Sequence, residues 1–420
     1  MIKILQVRNI DSFVESRRQK TSEKDKKIVQ SILNDVRKNG DSAVKKYERK
    51  FNGRKTSQLR VSEKEIKEAQ SKISRKEVTA LRDMSVHLLH RRKILAIAER
   101  VENRASVYRY FVPIPSVGCY IPGGQARYPS SVVMSVVPAR QAGVKRIVVV
   151  SPPGRDGKID PLTIAAAKMC GATEIYKVGG AQAIAALAYG TKSIPKVDKI
   201  VGPGGKFVSI AKSFVSDQTA IDMVAGPTEL GIIADASSNP ELVALDLISQ
   251  AEHSKDTMCF VITQSKTTAK QIQKSIEKLI PGTERSSIIK ESISKNGFIA
   301  VCKNQNEVIE LANKIAPEHM ELMVKNARSF SKKITGAGLL LIGKNTPSAA
   351  SDYLLGTNHI LPTNGFGRTR GGLSVLDFSK LQTIVESKKS TLRKISKSLK
   401  ALTDAEDLPN HYKAVKRRLD

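Results

Sequence analysis

Apolar residues change their spacing three times along this chain. Up to about residue 110 they are sparse and recur at helical intervals. Between Asp25 and Asn39, Ile28, Val29, Ile32, Leu33 and Val36 mark one helix face. Ser62-Glu63-Lys64-Glu65 has the form of a capping box and predicts a further helix start. Val117-Gly118-Cys119-Tyr120-Ile121 then reads as a strand running into the turn Pro122-Gly123-Gly124.

From there to about residue 217, short apolar runs alternate with helical stretches. Strands are predicted at Arg146–Val150, Glu174–Val178 and Lys199–Val201, and helices at Leu162–Cys170 and Ala181–Tyr189. A second alternating block runs from about residue 229 to 342. Its strands are Glu229–Ala234, Met258–Ile262, Phe298–Val301 and Leu339–Ile342, and its helices include Glu241–Ala251 and Val308–Ile315. Wholly apolar strands that alternate with helices imply parallel sheets covered on both faces. The expected fold is therefore α/β with two modules, a helical N-terminal region and a basic, helical tail after about residue 373.

A length of 420 residues suits two or three domains. Trp is absent and aromatics make up 5%, so the cores must be aliphatic. The opening MIKILQVRNIDSF is too short and too interrupted for a signal-peptide core, and no run of about 18 apolar residues predicts a membrane span. The four cysteines, Cys119, Cys170, Cys259 and Cys302, form no CxxC pair and read as buried thiols of a reduced, cytoplasmic protein. The net charge of +30 raises nucleic-acid binding as a class. The cations are dispersed from Arg17 to Arg418, however, and no nucleic-acid-binding motif accompanies them, so they read as a solvated surface.

Two glycine turns, Gly179-Gly180 and Gly202-Pro203-Gly204-Gly205, sit where strand passes to helix. Such turns either cradle a phosphate or merely reverse the chain. No GxGxxG fingerprint is present. Gly338 to Asn345 misses a P-loop, because Asn345 replaces the Ser/Thr and a strand occupies the loop. There are six histidines. His87 and His90 precede Arg91-Arg92-Lys93 and read as surface or packing residues. Glu318-His319 pairs two groups that can move protons near neutral pH. His253 follows Gln250 by three positions, and Asp352, His359 and His411 lie further on. Imidazole, carboxylate and amide oxygen are zinc-type donors, but their scatter along the chain makes structural histidines the better reading of the residues alone.

Six segments together resemble the histidinol dehydrogenase family: GCYIPGGQARYPSSVVMSVVPARQAGV (118–144), VGGAQAIAALAYGTKSIPKVDKIVGPGG (178–205), DMVAGPTELGIIAD (222–235), DLISQAEHSKDT (246–257), APEHMEL (316–322) and SDYLLGTNHILPT (351–363). The resemblance runs from about residue 24 to 418. It implies two Rossmann-like modules: an α/β domain of 24–119 plus 228–372 carrying zinc and catalysis, and an NAD-binding domain of 120–227. A segment 1–23 would precede them, and a tail 373–420 would reach a partner subunit. The implied reaction is the two-step oxidation of L-histidinol to L-histidine with NAD+ and one zinc per subunit of a homodimer. Carried over, Gln250, His253, Asp352 and His411 look like the zinc ligands, with His411 arriving from the partner. Glu318 resembles the water-activating base and His319 the proton shuttle. Thr228, His359 and Glu406 match substrate contacts, as do Gln250, His253, His319, Asp352 and His411. Tyr120, Gln182 and Gly205 match cofactor positions.

Gly205 departs from the family, which usually has Asn there. Losing that side-chain hydrogen bond costs about 0.5–1.5 kcal/mol and implies weaker NAD binding or a shifted cofactor preference. The +30 charge is a second departure. The alternatives are a sister dehydrogenase acting on another small alcohol and a basic nucleic-acid-binding protein. The filled Glu406 and His411 positions speak against the former.

Overall fold

The computed structural model describes residues 1–18, 21–53, 58–88, 107–123, 127–224 and 226–420. The chain divides into two compact units, Met1–Arg91 with Ile114–Phe378, and Arg92–Pro113 with Ser379–Asp420.

Strand β1 (Lys3–Gln6) belongs to the first unit and β2 (Val107–Pro113) to the second. The first unit's smaller sheet contains β3 (Ser116–Tyr120), β4 (Arg146–Ser151), β5 (Glu174–Lys177), β6 (Lys199–Val201) and β7 (Ala220–Ile221), in the order β5-β4-β3-β6-β7. Its larger sheet joins β1 to β8 (Glu229–Ala234), β9 (Met258–Thr263), β10 (Phe298–Val301), β11 (His319–Met323) and β12 (Leu339–Ile342), in the order β1-β10-β9-β8-β11-β12. Every pairing between these named strands is parallel.

Both faces of each sheet are covered, as the unbroken apolar strands require. In the smaller sheet Val117, Ile147 and Val149 pack with Leu81, Met84 and Val133, while Val148 and Val150 pack with Val29, Leu33 and Leu187. In the larger sheet Leu230, Ile232 and Val261 meet Val243 and Leu247, while Phe260, Ile262 and Phe298 meet Val308, Leu311 and Phe330. Gly231 has no room for a side chain. A Cβ there would come within 2.5 Å of the Phe260 ring, which stacks on Phe298 with centroids 5.0 Å apart.

Several expectations from sequence change here. The predicted helix at 25–39 is Glu23–Asn52, broken at Gly40, and Ile28 is exposed while Val29, Ile32, Leu33 and Val36 are buried. The capping box at Ser62 is formed. Residues 1–23 are more than a leading segment, because Lys3–Gln6 forms the edge strand paired with β10. The helices Glu23–Asn52, Glu63–Ser71 and Arg75–Leu88, grouped by sequence with residues 228–372, pack into the two cores of the smaller sheet. Strand β11 was not anticipated, because His319 and Glu321 interrupt its apolar pattern. His87 is exposed, and His90 lies outside the described residues.

The second unit begins its C-terminal part with a strand, not a helix. Strand β13 (Ser379–Val385) runs antiparallel to β2, and the helices Lys389–Ala405 and Pro409–Lys416 follow. Tyr108, Tyr110, Leu381, Ile384, Val385, Ile395, Leu402 and Leu408 are 38–64% exposed on this unit. Among the described residues no helix is long and apolar enough to cross a membrane. All four cysteines are buried and unpaired.

Candidate active site

A cavity of about 390 Å³ opens within the first unit. Pro122, just past β3, and Pro203, Gly204 and Gly205, just past β6, line it. Thr228, Thr257 and the pair Glu318-His319 line it from the starts of β8, β9 and β11. The C-terminal edge of one parallel sheet and the N-terminal edge of the other therefore contribute to one cavity. The former edge is the usual ligand side of such sheets.

The helix Pro240–Ala251 places Gln250 in its last turn, and the chain leaving it brings in His253. The short helix Ser348–Ser351 ends at Asp352. His319 Nε2 lies 3.2 Å from Asp352 Oδ1, and His319 Nδ1 lies 3.9 Å from Glu318 Oε2. Glu318 Oε2 accepts the Glu229 N–H at 3.0 Å. His359 Nδ1 is 2.9 Å from Asp352 O, and its Nε2 is 3.2 Å from Ser131 Oγ. Thus Thr228, Gln250, His253, Glu318, His319, Asp352 and His359, scattered in sequence, meet around one cavity.

Burial pushes the Glu318 carboxyl up to about 7 and that of Glu229 to about 8. Burial works against the His319 cation, but Asp352 and then Glu318 outweigh it and raise the imidazole to about 9. Burial would raise Asp352, yet the adjacent His319 holds it below its ordinary value. His253 and His359 are both lowered, chiefly by burial. Beneath them Glu321 is also raised by burial and then by Asp246, and its Oε1 accepts the Ser348 N–H at 2.7 Å.

The donors that could hold a cation are His253, Asp352 and the Gln250 amide. Among the described residues no three His, Cys, Asp or Glu side chains form a cation cage by themselves. Asp352 Oδ1 is nonetheless buried without a well-directed hydrogen bond, which leaves a carboxylate lone pair to be satisfied. An imidazole nitrogen with two oxygens suits zinc and leaves positions for further ligands.

The glycine turns resolve differently. At Gly179 a buried carboxylate already fills the helix start: Glu48 Oε1 accepts from Gly179 N at 2.9 Å and from Gln182 Nε2 at 2.8 Å. The Tyr120 hydroxyl accepts from Gly180 N at 3.1 Å. Tyr120 and Gln182 are consequently buried behind the turn and do not line the cavity. The second turn does reach it, with Gly205 as N-cap of the helix Lys206–Val215. Gly205 has a φ of −65°, and a Cβ there would meet nothing within 4 Å, so the backbone does not demand glycine. An open helix start of this kind suits an anionic group.

Glu406, at the end of the helix Lys389–Ala405, and His411, on the helix Pro409–Lys416, are exposed members of the second unit. Sequence reasoning missed Glu229, Arg285, Tyr128 and Ser131. Glu229 could have been noticed as an acid opening an otherwise apolar strand, whereas the others carry no local signal.

Comparison with known proteins agrees with this geometry. The family described as histidinol dehydrogenase matches residues 15–419. The chain is 42% identical over 395 residues to the histidinol dehydrogenase of Methanocaldococcus jannaschii, covering 93% of this chain and 92% of that protein. It is 42% identical over 398 residues to that of Bacillus cereus strain ATCC 10987, at 93% and 92% coverage. The crystal structure of histidinol dehydrogenase from Elizabethkingia anophelis has a TM-score of 0.92 and 34% identity, covering 100% of this chain and 98% of that one.

Proposed function

This chain belongs to the histidinol dehydrogenase family of NAD-dependent oxidoreductases, and on that premise we propose that it oxidises L-histidinol through L-histidinal to L-histidine in two NAD-linked, zinc-dependent steps. The observation that carries the reading is Glu318-His319 opening β11 beside Asp352, in one cavity with Gln250 and His253. Gln250, His253 and Asp352 would hold one zinc, with His411 of a second copy completing the set. When bound, zinc would supply a Lewis-acid anchor for the substrate and NAD+ would supply the hydride acceptor.

His319 takes the hydroxyl proton in the alcohol step. Asp352, 3.2 Å from the ring, favours the protonated imidazole and so would stabilise the proton that His319 takes. Glu318 then takes a proton from the water that adds to the aldehyde, giving a hydrate ready for the second oxidation. Thr228, His359 and Glu406 would contact substrate. Gly205 would face the dinucleotide, while Tyr120 and Gln182 shape the neighbouring turn from behind. Closure of the site by a second copy would keep the amino-aldehyde from escaping. The exposed apolar residues of the second unit support such a partner.

The test is the NADH yield per L-histidinol, with and without a zinc chelator, together with the mass of the active species. Two NADH per substrate are expected, abolished by the chelator and restored by zinc, from a species of two chains. No turnover with zinc and NAD+ present would overturn the reading.

A pH dependence follows. Glu318 must be ionised to act as base, and burial has raised it to about 7. Its active form is therefore lost as pH falls through that value. Histidinal oxidation should drop about tenfold per pH unit below it. An aldehyde step that stays flat from pH 8 to 5 would remove Glu318 from the role.

A further inference from the structure

Glu229 opens β8 directly after the cavity residue Thr228, and its side chain is buried. Its Oε2 accepts the Glu318 N–H at 3.3 Å, and its Oε1 accepts the Asn364 N–H at 2.9 Å. Its own N–H returns a bond to Glu318 Oε2. One carboxyl thus ties β8 to the start of β11 and to the loop just past Thr363. Arg18, whose Nη1 donates to Asn364 O at 3.0 Å, braces that loop from the N-terminal segment. The charged neighbours are Glu318 and Arg18, with His319 and Asp352 beyond Glu318.

We propose that Glu229 is a positioning residue: its two carboxyl oxygens fix the Glu318 peptide and the Asn364 loop, and so hold the Glu318 side chain in register with the cavity. This rests on the reading of Glu318 as the base of the aldehyde step. Two buried N–H donors converge on the group, and leaving either unmet is costly. A carboxyl offers two acceptor oxygens in either protonation state. A carboxamide offers one, and turns an NH₂ donor against the other N–H. Glu229→Gln therefore keeps the volume while releasing one of the two segments.

The experiment compares single-turnover oxidation of histidinol and histidinal in Glu229→Gln, after the wild type has shown two NADH per histidinol. If the wild type fails there, the functional reading falls; the variant tests only Glu229. The expected result is a fall of about 10–100-fold in the histidinal rate, the size of a misplaced base, with histidinol oxidation and its KM little changed. Equal loss in both steps, or no loss in either, overturns the proposal. Should the variant not fold, amide hydrogen exchange of the wild type decides. Slow exchange at Glu318 and Asn364 is expected, and exchange at the rate of an open chain overturns it.

Discussion

Glu318→Gln should abolish nearly all oxidation of histidinal while alcohol oxidation continues. The amide has the shape of the carboxyl, and its oxygen can still accept the Glu229 N–H that now reaches Glu318 Oε2 at 3.0 Å. Packing is therefore kept, and only the capacity to take a proton is lost. A positioned general base contributes about 10²–10⁴-fold, so the aldehyde step should slow by that factor. His319 keeps its contact with Asp352 and with it the proton transfer assigned to the first step. Single-turnover NADH formation from histidinol should therefore stop near one equivalent, with histidinal held or released. Equal slowing of both steps would show that Glu318 shapes the cavity instead of activating water.

Lys212→Met should be the most damaging substitution outside the cavity lining. Lys212, on the helix Lys206–Val215, is an ammonium in the smaller sheet's interior, and Asp222 follows β7; their side chains are 2% and 0% exposed. Lys212 Nζ donates to the Asp222 carboxylate and to Gly202 O, the latter at 2.9 Å. The same carboxylate accepts from Gly202 N at 2.8 Å and Met223 N at 2.6 Å. Methionine replaces the aliphatic stem but leaves Asp222 charged and unpaired in the interior. Breaking one side of such a pair costs about 3–5 kcal/mol. The loss also reaches the site, because Gly202 begins the turn that ends at Gly205. Gly202 has a φ of +112°, and a Cβ there would lie 2.2 Å from Tyr120 O, so this turn has no ready substitute conformation. A clear fall in the thermal midpoint and weaker NAD+ binding are expected. Removing the stranded charge with a second change, Asp222→Asn, should recover part of the midpoint. An unchanged midpoint in Lys212→Met would mean that the pair is not what holds the turn.

Much of the architecture could be read from local patterning, and the reason is physical. A strand buried on both faces reads as a continuous apolar run, so Phe298–Val301 had its observed bounds already in the sequence, as did Glu229–Ala234 after its acidic first residue and the half-buried edge strand Leu339–Ile342. Helix starts were legible where a side chain caps them, as at Ser62. The chemistry of the site was legible as residue types: an acid beside an imidazole, and zinc-type donors in segments resembling one family. Strand β11 was hidden because the residues that give the site its chemistry are the ones that break its apolar run.

Only the tertiary structure decided which of these groups meet, and in what state of charge. His319 and Asp352 are 33 positions apart by number and 3.2 Å apart in space, a proximity set by parallel pairing and not by local spacing. Whether the Gly179 turn was free for phosphate depended on Glu48, which a helix more than a hundred residues earlier delivers to it. The carboxyls of Glu229 and Glu318 are raised because the fold removes water from around them, which composition cannot express. Sequence by itself determined the elements and the available functional groups, since both follow from side-chain chemistry and short-range periodicity. Long-range packing determined the cavity, the clasp at Glu229 and the proton affinities, since each depends on contacts between segments distant along the chain.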